Sequence, residues 1–167
     1  MPTTSTRSAT LTLPTDEQIM ITREFGAPRR LVWRAWTEPD LVRRWWHAKR
    51  GEVTVCEIDL RVGGTWRYVM VTPDGFEVGF HGAYREIVPK ERLVTTETYE
   101  GLPEGVSEEE GSTVNTATFA ELDGRTTVAL LIQAANKISR DAIVETGMED
   151  GLQDALDLAE EVALSLQ

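Results

Sequence analysis

Between Glu52 and Ala135 apolar and polar residues alternate with a period of two, interrupted mainly by short turn signals. Period two is the spacing of a strand with one buried and one wet face. It predicts strands at "EVTVCEIDL", "TWRYVMV", "EVGFHGAYREIV", "RLVTTETY", "TVNTATFAEL" and "TTVALLIQA". The turns Val62-Gly63-Gly64, Pro73-Asp74-Gly75, Pro89-Lys90-Glu91 and Asp123-Gly124 are too short for crossovers, so sequential strands should run antiparallel. The long exception is the acidic Gly/Pro segment "EGLPEGVSEEEGS", Glu100 to Ser112, which reads as a mobile loop. An antiparallel sheet of this size must bury one face. The large apolar surface left to cover it is a C-terminal helix whose stripe runs through Met148, Leu152, Ala155, Leu156, Ala159, Ala163 and Leu166. Thr146-x-x-Glu149 has the form of a capping box for that helix, and Ser139 or Asp141 is placed to cap an earlier turn. The sheet should curl around the helix.

Ahead of this meander, "EQIMITREF" reads as a first strand, broken by Gly26-Ala27-Pro28. A helix over Pro28 to Thr37 is predicted, with Leu31, Val32, Ala35 and Trp36 on one face. Thr37-x-x-Asp40 has the form of a capping box for a second short helix, starting at Pro39 and carrying Leu41, Val42, Trp45 and Trp46. The polar, threonine-rich residues 1–16 read as a flexible segment, or at most an edge strand, before one domain spanning 17–167. The class is therefore α+β.

The stretch "PRRLVWRAWTEPDLVRRWW" holds four of the five tryptophans, and seven of the seventeen basic residues lie between Arg29 and Arg50. Such interleaving suits nucleic acid, a membrane surface or a core-packing helix pair. A net charge of −11 argues against phosphate neutralisation. No apolar run approaches the eighteen residues of a membrane span, and the N-terminus lacks the apolar core of a signal peptide. With its single cysteine the chain is expected to be cytoplasmic, with neither nucleic acid nor membrane as partner. The stretch then reads as a lid, with Trp36 and Trp46 inward, Trp33 partly exposed, and the arginines solvated or bridging to the acidic final helix. The same charge split suggests a homodimer with Trp33 or Trp45 as aromatic anchor.

The order strand, two short helices, six strands, long helix is that of a helix-grip fold. The segments "APRRLVWRAWTEPDLVRRWW", "DLRVGGTWRYVM", "PDG", "HGAYREIVPKERLVTTETY" and "ETGMEDGLQDALDLAEE" together resemble the START-like (SRPBCC) superfamily. The branch resembled is that of homologues of the activator of the heat-shock-protein-90 ATPase, over about Ile19 to Leu164. The resemblance implies a curved sheet gripping the final helix, often with a cavity for a small apolar ligand. It also implies a spread of roles: chaperone activators, aromatic polyketide cyclases and sequestering proteins. The larger eukaryotic activator has an additional N-terminal domain that contributes to chaperone contact, and these 167 residues are expected to hold none.

No HExxH, CxxC, GxSxG or phosphate-cradling glycine pattern is present, so neither a metal nor a cofactor is expected and no residue is assigned as catalytic. Cys56, between apolar strand neighbours, reads as an inert thiol. The ligand-binding candidates are Trp36, Trp46, Trp66, Tyr68, Met70, His81, Tyr84, Glu97, Met148 and Leu152. Trp66, Tyr68 and Met70 share one strand face, where aromatic surfaces suit a flat apolar ligand and the Tyr68 hydroxyl or Trp66 indole N–H could orient it. A cyclase or lyase reaction on an aromatic polyketide-like substrate would act through His81, a candidate general base, or Glu97. Glu97, if inward, needs a partner, for which Arg67 or Arg85 is available across the strands. The expected function is binding of a small hydrophobic, aromatic ligand. The alternatives are a polyketide cyclase-like enzyme or a chaperone-activator-like interaction module.

Overall fold

The chain order is β1 (Thr10–Thr12), β2 (Gln18–Phe25), α1 (Arg29–Thr37), α2 (Pro39–Val42), β3 (Glu52–Ile58), β4 (Thr65–Val71), β5 (Glu77–Val88), β6 (Arg92–Tyr99), α3 (Glu108–Gly111), β7 (Ser112–Leu122), β8 (Arg125–Gln133), α4 (Lys137–Glu145) and α5 (Met148–Ser165). These elements come from a computed structural model that describes residues 9–167. All strands join one antiparallel sheet in the order β1-β2-β8-β7-β6-β5-β4-β3. Every strand expected from the period-two pattern is present, each end within two residues of its expected position. Thr10–Thr12, read as part of a flexible segment, pairs with β2, and Gln153 of α5 exchanges two hydrogen bonds of 2.9 Å with the Ala9 backbone. Within the segment read as a mobile loop, α3 forms one turn, with the Ser107 hydroxyl accepting from Glu110 N–H.

Strand order explains the helix pair. The chain leaves β2, near one edge of the sheet, and must re-enter as β3 at the opposite edge. The segment α1–α2 makes that passage, touching α5 and β7 on the way and β3 at its end. The register shifts between Val53 and Val55 and between Tyr84 and Glu86, irregularities of the kind that increase a strand's local bend and twist. Leu31, Val32 and Ala35 of α1, Ile19, Ile21 and Phe25 of β2, and Leu156, Ala159 and Ala163 of α5 form a common buried core. Each of the larger side chains contributes about 1.5–3 kcal/mol on leaving water.

The expected caps fail for local reasons. Thr37 stays inside α1, its hydroxyl donating to Trp33 O at 2.8 Å, so Glu38 takes the N-cap position of α2. Thr146 likewise donates back to Ile143 O instead of capping α5. The cap of α4 is Asn136, which accepts from Ser139 N–H at 2.8 Å, while Asp141 lies within the helix beside Lys137 and Arg140. Between α4 and α5, Gly147 adopts φ 75°, a left-handed conformation that glycine takes without Cβ strain and that breaks the helical run.

Trp33 is buried at 8% exposure, contrary to its expected partial exposure, because it packs edge-on against Phe119 with ring centres 5.4 Å apart. Trp45 is buried too, its indole N–H donating to Ala35 O at 2.8 Å. Neither ring is therefore a surface anchor for a second copy. The bridge from the basic stretch to the acidic helix forms within the molecule, where Arg50 reaches Asp154 at 2.9 Å. A second link is buried: Arg23 of β2 donates to Leu156 O, to Asp157 at 2.8 Å and to Glu160 at 3.3 Å, while Glu160 also accepts from Gly26 N–H. Among the described residues no helix is long and apolar enough to cross a membrane.

Candidate functional site

Between the sheet and α5 lies a cavity of about 520 Å³, open on one side. Alternation puts Trp66, Tyr68 and Met70 of β4 on its wall, and Leu93, Thr95 and Glu97 of β6 on the same side of the sheet. Met148, Leu152, Ala155 and Leu156 close it from α5, while Trp36 and Trp46 close it from the helix pair and the turn that follows. The rings form a continuous aromatic surface: Trp46 lies 5.5 Å from Tyr68 and 5.9 Å from Phe80, and Trp66 lies 4.7 Å from Tyr68. Arg50, bonded to Ala48 O and Asp154, lines the cavity beside Gly147 and Gly151.

Trp66 depends on Gly82. The two are register partners on β4 and β5, and the indole N–H crosses to donate to Thr96 O on β6 at 3.1 Å. A Cβ at position 82 would stand 1.8 Å from that carbonyl oxygen and 2.7 Å from the indole nitrogen. The indole N–H, expected to orient a ligand, is thus already spent on the sheet. Tyr68 and Tyr84 hydrogen-bond one another, and burial raises the phenol pKa of both.

The polar pole of the cavity lies on β6 and β7. Tyr84, Thr95 and Asn115 are register neighbours across β5, β6 and β7, and Glu97 stands two residues along β6 on the same face. Asn115 donates from Nδ2 to Glu97 Oε2 at 2.5 Å. Burial raises the Glu97 carboxyl above its ordinary pKa, and the Asn115 hydrogen bond opposes that rise only in part. The expected arginine partner is absent from Glu97. Arg67 instead points to the opposite, convex face, where Nε and Nη2 grip Glu100 at 2.9 Å each.

His81 is on the convex face as well, contrary to its expected place in the cavity. Its Nδ1 lies 2.9 Å from the same Glu100 carboxylate, and it pairs in register with Arg67. The parity of β5 dictates this, since Phe80 and Tyr84 face the cavity while His81 lies an odd number of residues from both. Arg67, with His81 adding to it, holds the Glu100 carboxyl down to about 2. The other nine candidates, Trp36, Trp46, Trp66, Tyr68, Met70, Tyr84, Glu97, Met148 and Leu152, all line the cavity. Sequence reasoning missed Asn115 and Arg50. The first was accessible, since Thr113, Asn115, Ala117 and Phe119 alternate onto one face. Arg50 lies in a loop, where no period operates.

Cys56 is buried, with its thiol pushed up to about 11 chiefly by burial, and so is a poor nucleophile. Among the described residues no group of three His, Cys, Asp or Glu side chains is placed to hold a metal ion.

A curved antiparallel sheet wrapped on a C-terminal helix, with an aromatic cavity between them, defines a START-like domain. Residues 26–162 match the family model of activator of Hsp90 ATPase homolog 1-like proteins, and the chain belongs to that family. Among curated proteins no sequence matches it. Its fold is shared by a protein from Rhodobacter sphaeroides at 24% identity and TM-score 0.84, with 95% of this chain and 99% of that one covered. A protein from Nitrosomonas europaea, also 24% identical, aligns over 92% of this chain and 98% of its own with TM-score 0.80. An AHSA1-like protein from Aeromonas hydrophila, 23% identical, aligns over 88% and 93% respectively with TM-score 0.63.

Proposed function

We propose that the protein binds a small, flat, hydrophobic molecule between the sheet and α5 and performs no hydrolytic or redox chemistry on it. One observation carries the reading: a cavity of about 520 Å³ whose walls include Trp36, Trp46, Trp66, Tyr68 and Phe80. That volume lies within the range of about 300–1,000 Å³ usual for small-molecule sites. A cavity of this size lined by aromatic faces is poor packing for a core built only for stability, since interiors otherwise fill their space. The cyclase-like alternative asked His81, as base, or Glu97 to act inside the cavity. With His81 on the convex face, that reading is left with Glu97 alone and has less support.

The test is a thermal-shift screen of planar aromatic compounds, read together with tryptophan fluorescence. A ligand at a hundred times its Kd stabilises the fold by about 2.7 kcal/mol, or roughly 5–10 °C for a chain of this length. Trp66→Phe, which keeps a ring but loses the indole, should weaken binding more than it lowers Tm. A broad screen with neither shift nor quenching would overturn the proposal.

A further inference from the structure

We infer, on the reading that this cavity binds an aromatic ligand, that the ligand carries a protonated amine and that Glu97 is its counter-ion. Among the described residues the buried charged side chains are matched. Arg23 is matched by Glu160 and Asp157, and Arg140 by Asp141 and the Thr15 carbonyl. Glu97, half-buried on the cavity wall, differs. It lines the cavity and accepts from Asn115, yet among the described residues no Lys, Arg or His stands among its hydrogen-bond or ion-pair partners. The cations that strand register or the cavity wall could have offered are engaged elsewhere or turned away. Arg67 is held by Glu100 on the convex face, His81 lies beside it, and Arg50 is bonded to Asp154 and Ala48 O.

The surroundings suit a cation. Glu97 is faced by the carboxamide of Asn115 on β7 and by the phenol of Tyr68 on β4, while Tyr84 on β5 is paired with Tyr68. The α5 side chains on the cavity, from Met148 to Leu156, carry no charge. Ring faces attract a cation, most strongly where water is excluded, and Trp46, Trp66 and Tyr68 supply them. Burial keeps the carboxyl protonated further up the pH scale than an ordinary glutamate. An entering ammonium ion replaces that proton as the compensating charge, so amine binding releases a proton and strengthens as pH rises through the titration of Glu97. A chain of net charge −11 also draws cations toward it.

The experiment titrates parent protein and Glu97→Gln with tryptamine, 3-ethylindole and indole-3-propionate by calorimetry at two pH values, with the Tm of each protein as the folding control. Parent protein should prefer tryptamine over 3-ethylindole by about 10- to 100-fold, the worth of one charge-assisted hydrogen bond. It should also disfavour the propionate. Glu97→Gln should melt no lower than the parent and should bind tryptamine and 3-ethylindole alike. If the neutral indole binds the parent as tightly as the amine, or if Glu97→Gln keeps the preference, the amine assignment falls and the cavity reading stands. If none of the three binds the parent, the amine assignment falls, while the cavity reading falls only if the broad thermal-shift screen is also blank.

Discussion

Replacing Arg23 with methionine removes a guanidinium but keeps most of its stem, which makes it a clean probe of how the sheet holds α5. The arginine side chain is 1% exposed, and it gives hydrogen bonds to Leu156 O, Asp157 and Glu160 while lying 4.9 Å from the Phe25 ring centre. Methionine preserves the apolar contact with Phe25. What it leaves behind decides the magnitude. The Asp157 side chain is half exposed and keeps its water, but Glu160 stays buried with its cation removed. Breaking a buried pair from one side costs about 3–5 kcal/mol. For a chain of this length that is roughly 6–20 °C in Tm, or about 2 M in the urea midpoint. Adding Glu160→Gln removes the stranded charge while keeping an acceptor for Gly26 N–H, and should recover at least half of the loss. Equilibrium urea unfolding followed by tryptophan fluorescence measures both variants. A loss below about 1 kcal/mol for Arg23→Met, or no recovery in the double variant, would refute the idea that this pair carries its full desolvation cost. Arg34→Ala, breaking an exposed pair with Glu38, should change stability by no more than about 1 kcal/mol.

Leu156→Ala, at a site 1% exposed, should cost about 2–5 kcal/mol in urea unfolding, whereas Met148→Ala and Leu152→Ala, which line an existing cavity, should each cost less. Gly82→Ala should destabilise by at least about 1–3 kcal/mol and change the tryptophan emission, because its Cβ has no room beside Thr96 O and the indole of Trp66. Glu97 has a folded-state pKa above its unfolded value, so its ionisation erodes stability as pH rises from about 4.5, the ordinary glutamate value, through the folded value. The advantage of Glu97→Gln over the parent in urea midpoint should therefore grow across that window and then level off. Glu100 has the opposite sign: its contribution is present above about 4.5 and lost as pH falls toward about 2, a loss that Arg67→Ala should diminish. A homodimer, with no tryptophan anchor exposed in the basic stretch, would rest on charge and should dissociate as salt rises. A salt-independent dimer in sedimentation would contradict that.

Strand positions were legible in the sequence because a half-buried strand writes its burial into every second residue. "TWRYVMV", "EVGFHGAYREIV" and "RLVTTETY" coincide with β4, β5 and β6 residue for residue. The same parity sorted Trp66, Tyr68 and Met70 onto the cavity wall, and applied to β5 it would have sent His81 to the other face. The α5 stripe was readable for the same reason, with a period of 3.6 in place of two. Helix caps were not readable. Thr37 and Thr146 can each bond either forward or backward along the chain, and only the packed helix ends decide which. Partner choice was tertiary as well. Local sequence offered Glu97 two arginines, but a side chain on one face of a sheet cannot reach a cation on the other, so Arg67 went to Glu100 and Glu97 to Asn115. Period set each residue's face, and strand order set which faces met. The unmatched carboxyl in the cavity follows from the second and was invisible in the first.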